Sequence, residues 1–256
     1  MDREAGEKGP PVTQERPSPY RFLRLEEKGE GVLHLWIDRA EQLNTLSVET
    51  LHELTDFFEG LPAEDCRVVL IRGAGGKSFA AGANIKELIP FGPWEARDFS
   101  KLGQNIFFLM ESAPQVLIAA IDGYCMGGGC DFAMGADIRV ASERSVFAHT
   151  GAKMGIITGF GGTQRLPRLV GMRDAKRIFF TGERFSAGEA LKMGLVTQVF
   201  STESFHQEAE DLARRVAARP AGEMNKAKRL LGKAMDMGRE AHRLLEYSVC
   251  GDESWE

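Results

Sequence analysis

IAAIDGYCMGGGCDFAMGADI, residues 118–138, decides how the rest of the chain is read. An apolar strand-like run ends at Asp122. Three consecutive glycines follow (Gly127, Gly128 and Gly129), and an apolar segment of helical character begins directly behind them. Each glycine in or near a helix costs up to about 1 kcal/mol relative to alanine. Three in a row imply that the backbone itself must approach another group. A helix starting near Gly128 presents N–H groups with no intrahelical partner and the positive end of its dipole. Without a Cβ in the way, a planar carbonyl can reach them. These residues leave two readings open: a tight structural turn, or one half of an oxyanion site whose second donor comes from another loop.

Outward from this stretch, strands and helices alternate. VLHLWID (32–38), RVVLIRG (67–73), VLIAAID (116–122), DIRVAS (137–142) and LVTQVF (195–200) are rich in Val and Ile and closed by turn residues, as strands are. Between them, Val48, Leu51, Leu54, Phe58 and Leu61 recur at helical spacing behind Ser47, an N-cap residue, with Thr50 and Glu53 supporting the first turns. Phe99, Leu102, Ile106, Leu109 and Met110 repeat the pattern, and Pro114 stops it. Such alternation predicts an α/β fold with mainly parallel crossovers. After residue 203 the pattern is helical throughout, with a break at Arg219–Pro220 and a helix over 223–235 that carries Lys226, Lys228, Arg229 and Lys233. Residues 1–19, charged and proline-rich, are expected to be a disordered tail.

The 256 residues carry a formal charge of −5, which leaves no footprint for nucleic acid or an anionic membrane. No apolar run reaches the ~18 residues of a membrane span. The four cysteines and five histidines lack metal-ligand spacing, so no metal site is expected. The cysteines read as buried thiols of a reducing, cytoplasmic protein. Two further glycine-bearing loops, GGKSFAAGANIKEL (75–88) and TGFGGTQRLPRLVG (158–171), match neither a dinucleotide nor a triphosphate fingerprint.

Taken together, FAAGANIKEL, IAAIDGYCMGGGCDFAMGADI, GFGGTQRLPRLVG and TGERFSAGEALKMGLVTQVF resemble, in this order, the enoyl-CoA hydratase/isomerase (crotonase) family. The resemblance covers about residues 21–256. It implies a crotonase-like spiral of ββα units with an acyl-CoA site over 20–200. It further implies a helical oligomerisation region over 201–256 and homotrimers or hexamers (dimers of trimers). The expected substrate is an acyl-CoA thioester; coenzyme A belongs to it, and no separate cofactor is implied. By position, the oxyanion donors are assigned to the N–H groups of Ala81 and Gly128, with Gly82, Ala83, Asn84 and Gly151 also lining the substrate.

The chain departs from the family where the chemistry lies. Family hydratases use two glutamates to hold one water. The first position is Asp131 here, one methylene shorter, and aspartate is also found there in related dienoyl-CoA isomerases. The second falls on Gly151, and no carboxylate occurs between Arg144 and Arg173. A paired acid–base group contributes about 10²–10⁴-fold, so ordinary hydration is expected to suffer. His149 is the replacement candidate, expected on the same side of an extended strand as Gly151; Lys153 is a weaker one. Asn84 stands where FAAGAD-type loops carry aspartate. The family continues through another helix where this sequence reads DESWE, which is expected to leave the CoA phosphates to cations such as Arg24, Arg39 or Lys77. The functions in view are a hydratase or isomerase, a decarboxylase or hydrolase of an acyl-CoA, and a non-catalytic acyl-CoA-binding member. The pocket wall is expected from residues 86–110, including Leu88, Ile89, Phe91 and Trp94.

Overall fold

The computed structural model describes residues 14–15 and 18–251. The expected tail therefore lies mostly outside the described residues, except that Gln14–Glu15 (β1) pairs with Leu23–Glu27 (β2) at a sheet edge. The chain continues through Val32–Ile37 (β3), Val48–Gly60 (α1), Val68–Gly73 (β4), Ser78–Ala80 (β5), Ile85–Leu88 (α2) and Pro93–Ser112 (α3). Next come Val116–Ile121 (β6), Tyr124–Met126 (β7), Gly128–Met134 (α4), Ile138–Ser142 (β8), Val146–Ala148 (β9) and Gly151–Met154 (α5). Gly162–Thr181 (α6), Phe185–Ser186 (β10), Ala187–Met193 (α7), Gln198–Phe200 (β11), Phe205–Ala217 (α8), Ala221–Lys233 (α9) and Arg239–Gly251 (α10) complete it.

Two sheets result: β1-β2-β3-β4-β6-β8-β11 and β10-β9-β7-β5. Pairing is parallel from β3 to β11 in the large sheet and from β5 to β9 in the small one. The strand pairs β4–β5, β6–β7 and β8–β9 each place their first member in the large sheet and their second in the small one, and each is followed by helix. This is the crotonase spiral of ββα units.

The central strands are buried on both faces, which is why they read as unbroken Val/Ile/Leu runs. Leu35, Ile37, Val69, Ile71, Leu117 and Ile121 face the main core with Phe58, Phe79, Phe107 and Phe132. Val68, Leu70, Ile118 and Val140 meet Phe205, Ala209, Ala213 and Ala217 of α8. Thus α8 roofs the sheet and belongs to the spiral core, beyond the boundary at 200 expected from sequence. The helix α9 is pinned by Lys228, whose Nζ donates to the carbonyls of Met110 (3.0 Å) and Gln115 (2.9 Å) and lies 2.9 Å from Asp137 Oδ2.

Helix ends follow local chemistry. Ser47 caps α1 by accepting the Thr50 N–H at 3.1 Å, as expected. Glu53 does not support that turn: its oxygens accept the N–H groups of Arg21 (3.0 Å) and Phe22 (2.9 Å), which anchors the entry to β2. Pro93 opens α3 at a position where its missing N–H has no helical partner to lose.

Candidate active site

The β7–α4 junction is built by its three glycines, each for a different reason. Gly127 has φ 49° and ψ −119°, a conformation that L side chains rarely adopt, and its N–H donates to Ala148 O at 2.8 Å. At Gly129 a Cβ would lie 2.1 Å from Ala80 O, so only glycine lets α4 start against β5. Gly128 is the first helical residue, half-buried, and its N–H donates to no group among the described residues. A Cβ there would stand 3.4 Å from the main-chain N of Ala83.

The second loop corrects the sequence expectation for Ala81. Its N–H already donates to Leu43 O at 3.0 Å, which removes it from any ligand. Two residues on, the chain forms a parallel bridge between Leu46 and Ala83: Leu46 N–H donates to Gly82 O (2.8 Å) and Asn84 N–H to Leu46 O (3.1 Å). By strand alternation, Ala83 N–H turns to the other side, where no described group accepts it and Gly128 N is its neighbour. Gly82, at φ 98°, makes the turn into this bridge. The side chain of Asn84 holds Glu87 Oε1 at 2.6 Å, so its role is within the loop. The sequence signal for Ala83 was the partnering of the 43–46 segment, which no local motif displays.

Asp131 lies one turn after Gly128 and is 1% exposed. Its Oδ2 accepts a short hydrogen bond from Thr158 Oγ1, and its Oδ1 is 3.0 Å from His149 Nε2. That second contact has ion-pair distance without hydrogen-bond alignment, and neither atom has another partner. His149 is 4% exposed and packs on the Phe179 ring at 4.5 Å. Burial lowers its pKa, but the facing Asp131, with a smaller contribution from Cys130, outweighs burial and raises it above the usual value. A Cβ at Gly162 would lie 2.0 Å from Asp131 Oδ1, so this glycine lets the start of α6 close over the carboxylate.

Gly151 does not share a strand face with His149. The strand ends at Ala148, and Gly151 opens α5. Ile156 N–H folds back onto Gly151 O at 2.9 Å, and a Cβ at Gly151 would lie 2.3 Å from Ile156 O. A side chain at position 151 would therefore run into the chain's own backbone. Lys153 is exposed. Of the cations expected to meet CoA phosphates, Arg24 faces Asp38 and stacks on Trp36, and Arg39 bonds Gln42 and Thr50. Lys77 is exposed.

Beside the glycines sits Phe160, which sequence reasoning passed over. Its ring is buried, 5.1 Å from that of Phe99 and 6.4 Å from that of Phe107. Among the described residues no group of three or more His, Cys, Asp or Glu is placed to hold a metal. A separate depression of about 440 Å³ lies between α9 and the starts of β4 and β6. Its lining, including Arg67, Gln115, Asn225 and Arg229, offers no carboxylate or imidazole for proton transfer.

Comparison with known proteins identifies the family. The sequence model of the enoyl-CoA hydratase/isomerase family matches residues 27–252. A short-chain-enoyl-CoA hydratase of Clostridium acetobutylicum is 36% identical over 89% of this chain and 87% of its own length. A crotonyl-CoA hydratase of Syntrophomonas wolfei is 38% identical over 78% of this chain and 77% of its own. The crystal structure of an enoyl-CoA hydratase from Bacillus anthracis superposes with a TM-score of 0.87 at 31% identity, covering 90% of each chain. With its ββα spiral and its glycine-built helix start, the chain belongs to the enoyl-CoA hydratase/isomerase family, whose members act on acyl-CoA thioesters.

Proposed function

We propose that this enzyme shifts a double bond within an enoyl-CoA thioester, and that isomerisation runs ahead of hydration. The observation that carries the reading is the pair of unpartnered, half-buried N–H groups of Ala83 and Gly128, side by side, with a single carboxylate one turn away. The thioester oxygen takes both N–H bonds. Asp131 removes a proton from the carbon next to the carbonyl, the electron pair moves onto the held oxygen, and the proton returns two carbons further along the chain. Donors pre-aimed at a developing oxyanion are each worth about 10²–10³ in rate. Asp131 moves the proton by way of Thr158, the more open of the two groups on it: the hydroxyl takes the substrate proton as it gives its own to the carboxylate, and the reverse transfer returns it.

Hydration needs a second group to orient water. His149 is engaged with Asp131, and the Gly151 position is closed by Ile156 O. His149 is accordingly a positioning residue that holds the carboxylate in place. The relatives named as hydratases support the substrate class. A trimeric or hexameric assembly acting in the cytoplasm completes the proposal; the thiols free among the described residues (Cys66, Cys125, Cys130) suit a reducing compartment.

The test is a panel of 3-enoyl-CoA isomerisation, crotonyl-CoA hydration and malonyl-CoA decarboxylation, for the wild type and Asp131→Asn. Isomerisation should dominate, and Asp131→Asn should reduce it by about 10²-fold or more. Hydration faster than isomerisation sinks the proposal. So does decarboxylation that dominates and ignores Asp131→Asn, or binding of CoA esters with no turnover at all.

A further inference from the structure

We propose that Phe160 limits the length of acyl chain this site accepts, selecting short acyl-CoA thioesters; the inference rests on the oxyanion reading of Ala83 and Gly128. Three observations converge on the ring. On one side, a Cβ at Gly128 would lie 3.2 Å from it, and that same Cβ direction leads to Ala83 N at 3.4 Å. The Phe160 ring therefore borders the space between the two oxyanion donors. An oxygen held at about 3 Å from both N–H groups places the first acyl carbons against this ring.

On the opposite side stands Gly103, buried in the middle of α3, where glycine is a poor helix former. A Cβ at Gly103 would fall 2.2 Å from the ring of Phe160. The helix lacks a side chain at the one place where the ring needs room, so the ring and the glycine are complementary. Phe99 and Phe107 close the remaining sides at centroid distances of 5.1 and 6.4 Å.

The ring is also held. Ser100 Oγ and Gln104 Nε2, both on α3, donate to Gly159 O at 2.6 and 2.7 Å. These bonds fasten the residue before Phe160 to the same helix that receives its ring. Turning the ring out would empty the Gly103 recess, and shifting the backbone that carries it would break both bonds. A long acyl chain must therefore pass a fixed wall beside the thioester, while a chain of a few carbons needs no room beyond it.

The experiment titrates wild type, Phe160→Leu and Phe160→Ala calorimetrically with CoA, butyryl-CoA, octanoyl-CoA and dodecanoyl-CoA, saturated esters that undergo no double-bond shift. Wild type should bind butyryl-CoA more tightly than octanoyl-CoA. In Phe160→Ala, octanoyl-CoA should gain about tenfold or more relative to butyryl-CoA, since each buried methylene adds several-fold in affinity. Phe160→Leu should fall between and carries the test alone if Phe160→Ala does not fold. A wild type that already prefers octanoyl-CoA, or a ratio unchanged in folded variants, overturns the role of Phe160. If no ester of any length binds better than CoA, the acyl site itself is misplaced and both readings fall.

Discussion

Two adjacent glycines in one turn have opposite duties, and substitution separates them. At Gly129 a methyl group would overlap Ala80 O, 2.1 Å away, so Gly129→Ala must push α4 off β5. Overpacking of this kind costs about 1–3 kcal/mol, and activity should fall together with stability. At Gly128 the added methyl would stand 3.2 Å from the Phe160 ring, a tight contact relieved by a shift of a few tenths of an ångström, and α4 gains a better helix former. Its position beside Ala83 N is where the thioester oxygen must come. Gly128→Ala should therefore melt within about 1 kcal/mol of wild type yet lose about 10²–10³ in kcat/KM. Thermal melts beside steady-state kinetics check the pair; a fully active Gly128→Ala would remove the oxyanion assignment. The glycine run was legible from sequence because three glycines at a helix start have a cost that demands a reason. The donor opposite was not. Ala81 and Ala83 look alike in FAAGAN, and only the Leu46 bridge, formed by a segment nearly 40 residues earlier, decides which N–H faces out.

At the scale of elements, the charged centre is an assembly of three pieces: Asp131 from α4, His149 from the end of β9, and Thr158 from the loop before α6. Its stability has a defined pH dependence. The pKa of His149 is raised on folding, because Asp131 outweighs the opposing effect of burial. A raised pKa means the folded state holds the proton more tightly than the unfolded chain. The contribution is thus fully present below the usual histidine value of 6.5 and is lost as pH rises through the raised one. The difference in Tm between wild type and His149→Gln should be greatest near pH 5.5 and shrink toward pH 9, about the range that brackets a histidine titration. A difference constant across that range would show that the imidazolium–carboxylate pair contributes nothing. The long strands of the large sheet were readable because burial on both faces leaves continuous apolar runs. The small sheet was not: β5, β7 and β9 have three residues each, too few to display an alternation. That is also why His149 was expected on an extended strand, when the chain turns into α5 two residues later.

Over the whole molecule, the helical end of the chain is attached differently from the rest. The spiral core, including α8, closes on itself, whereas α9 has no buried residue and is held through the Lys228 clamp. The last helix, α10, leans on α9 through His242 Nε2 and Leu230 O, 2.9 Å apart. Across these two helices and the turn between them Leu231, Met235, Leu244 and Tyr247 are each more than half exposed. Exposed apolar side chains on two helices so loosely tied to their own core are buried by packing against another copy. Sedimentation velocity at micromolar concentration should give three or six copies of the chain, and Leu231→Glu with Leu244→Glu should shift the distribution toward one copy. A wild type that sediments as a single copy would mean that these side chains remain in water, and the assembly expected from the family resemblance would then not apply to this chain.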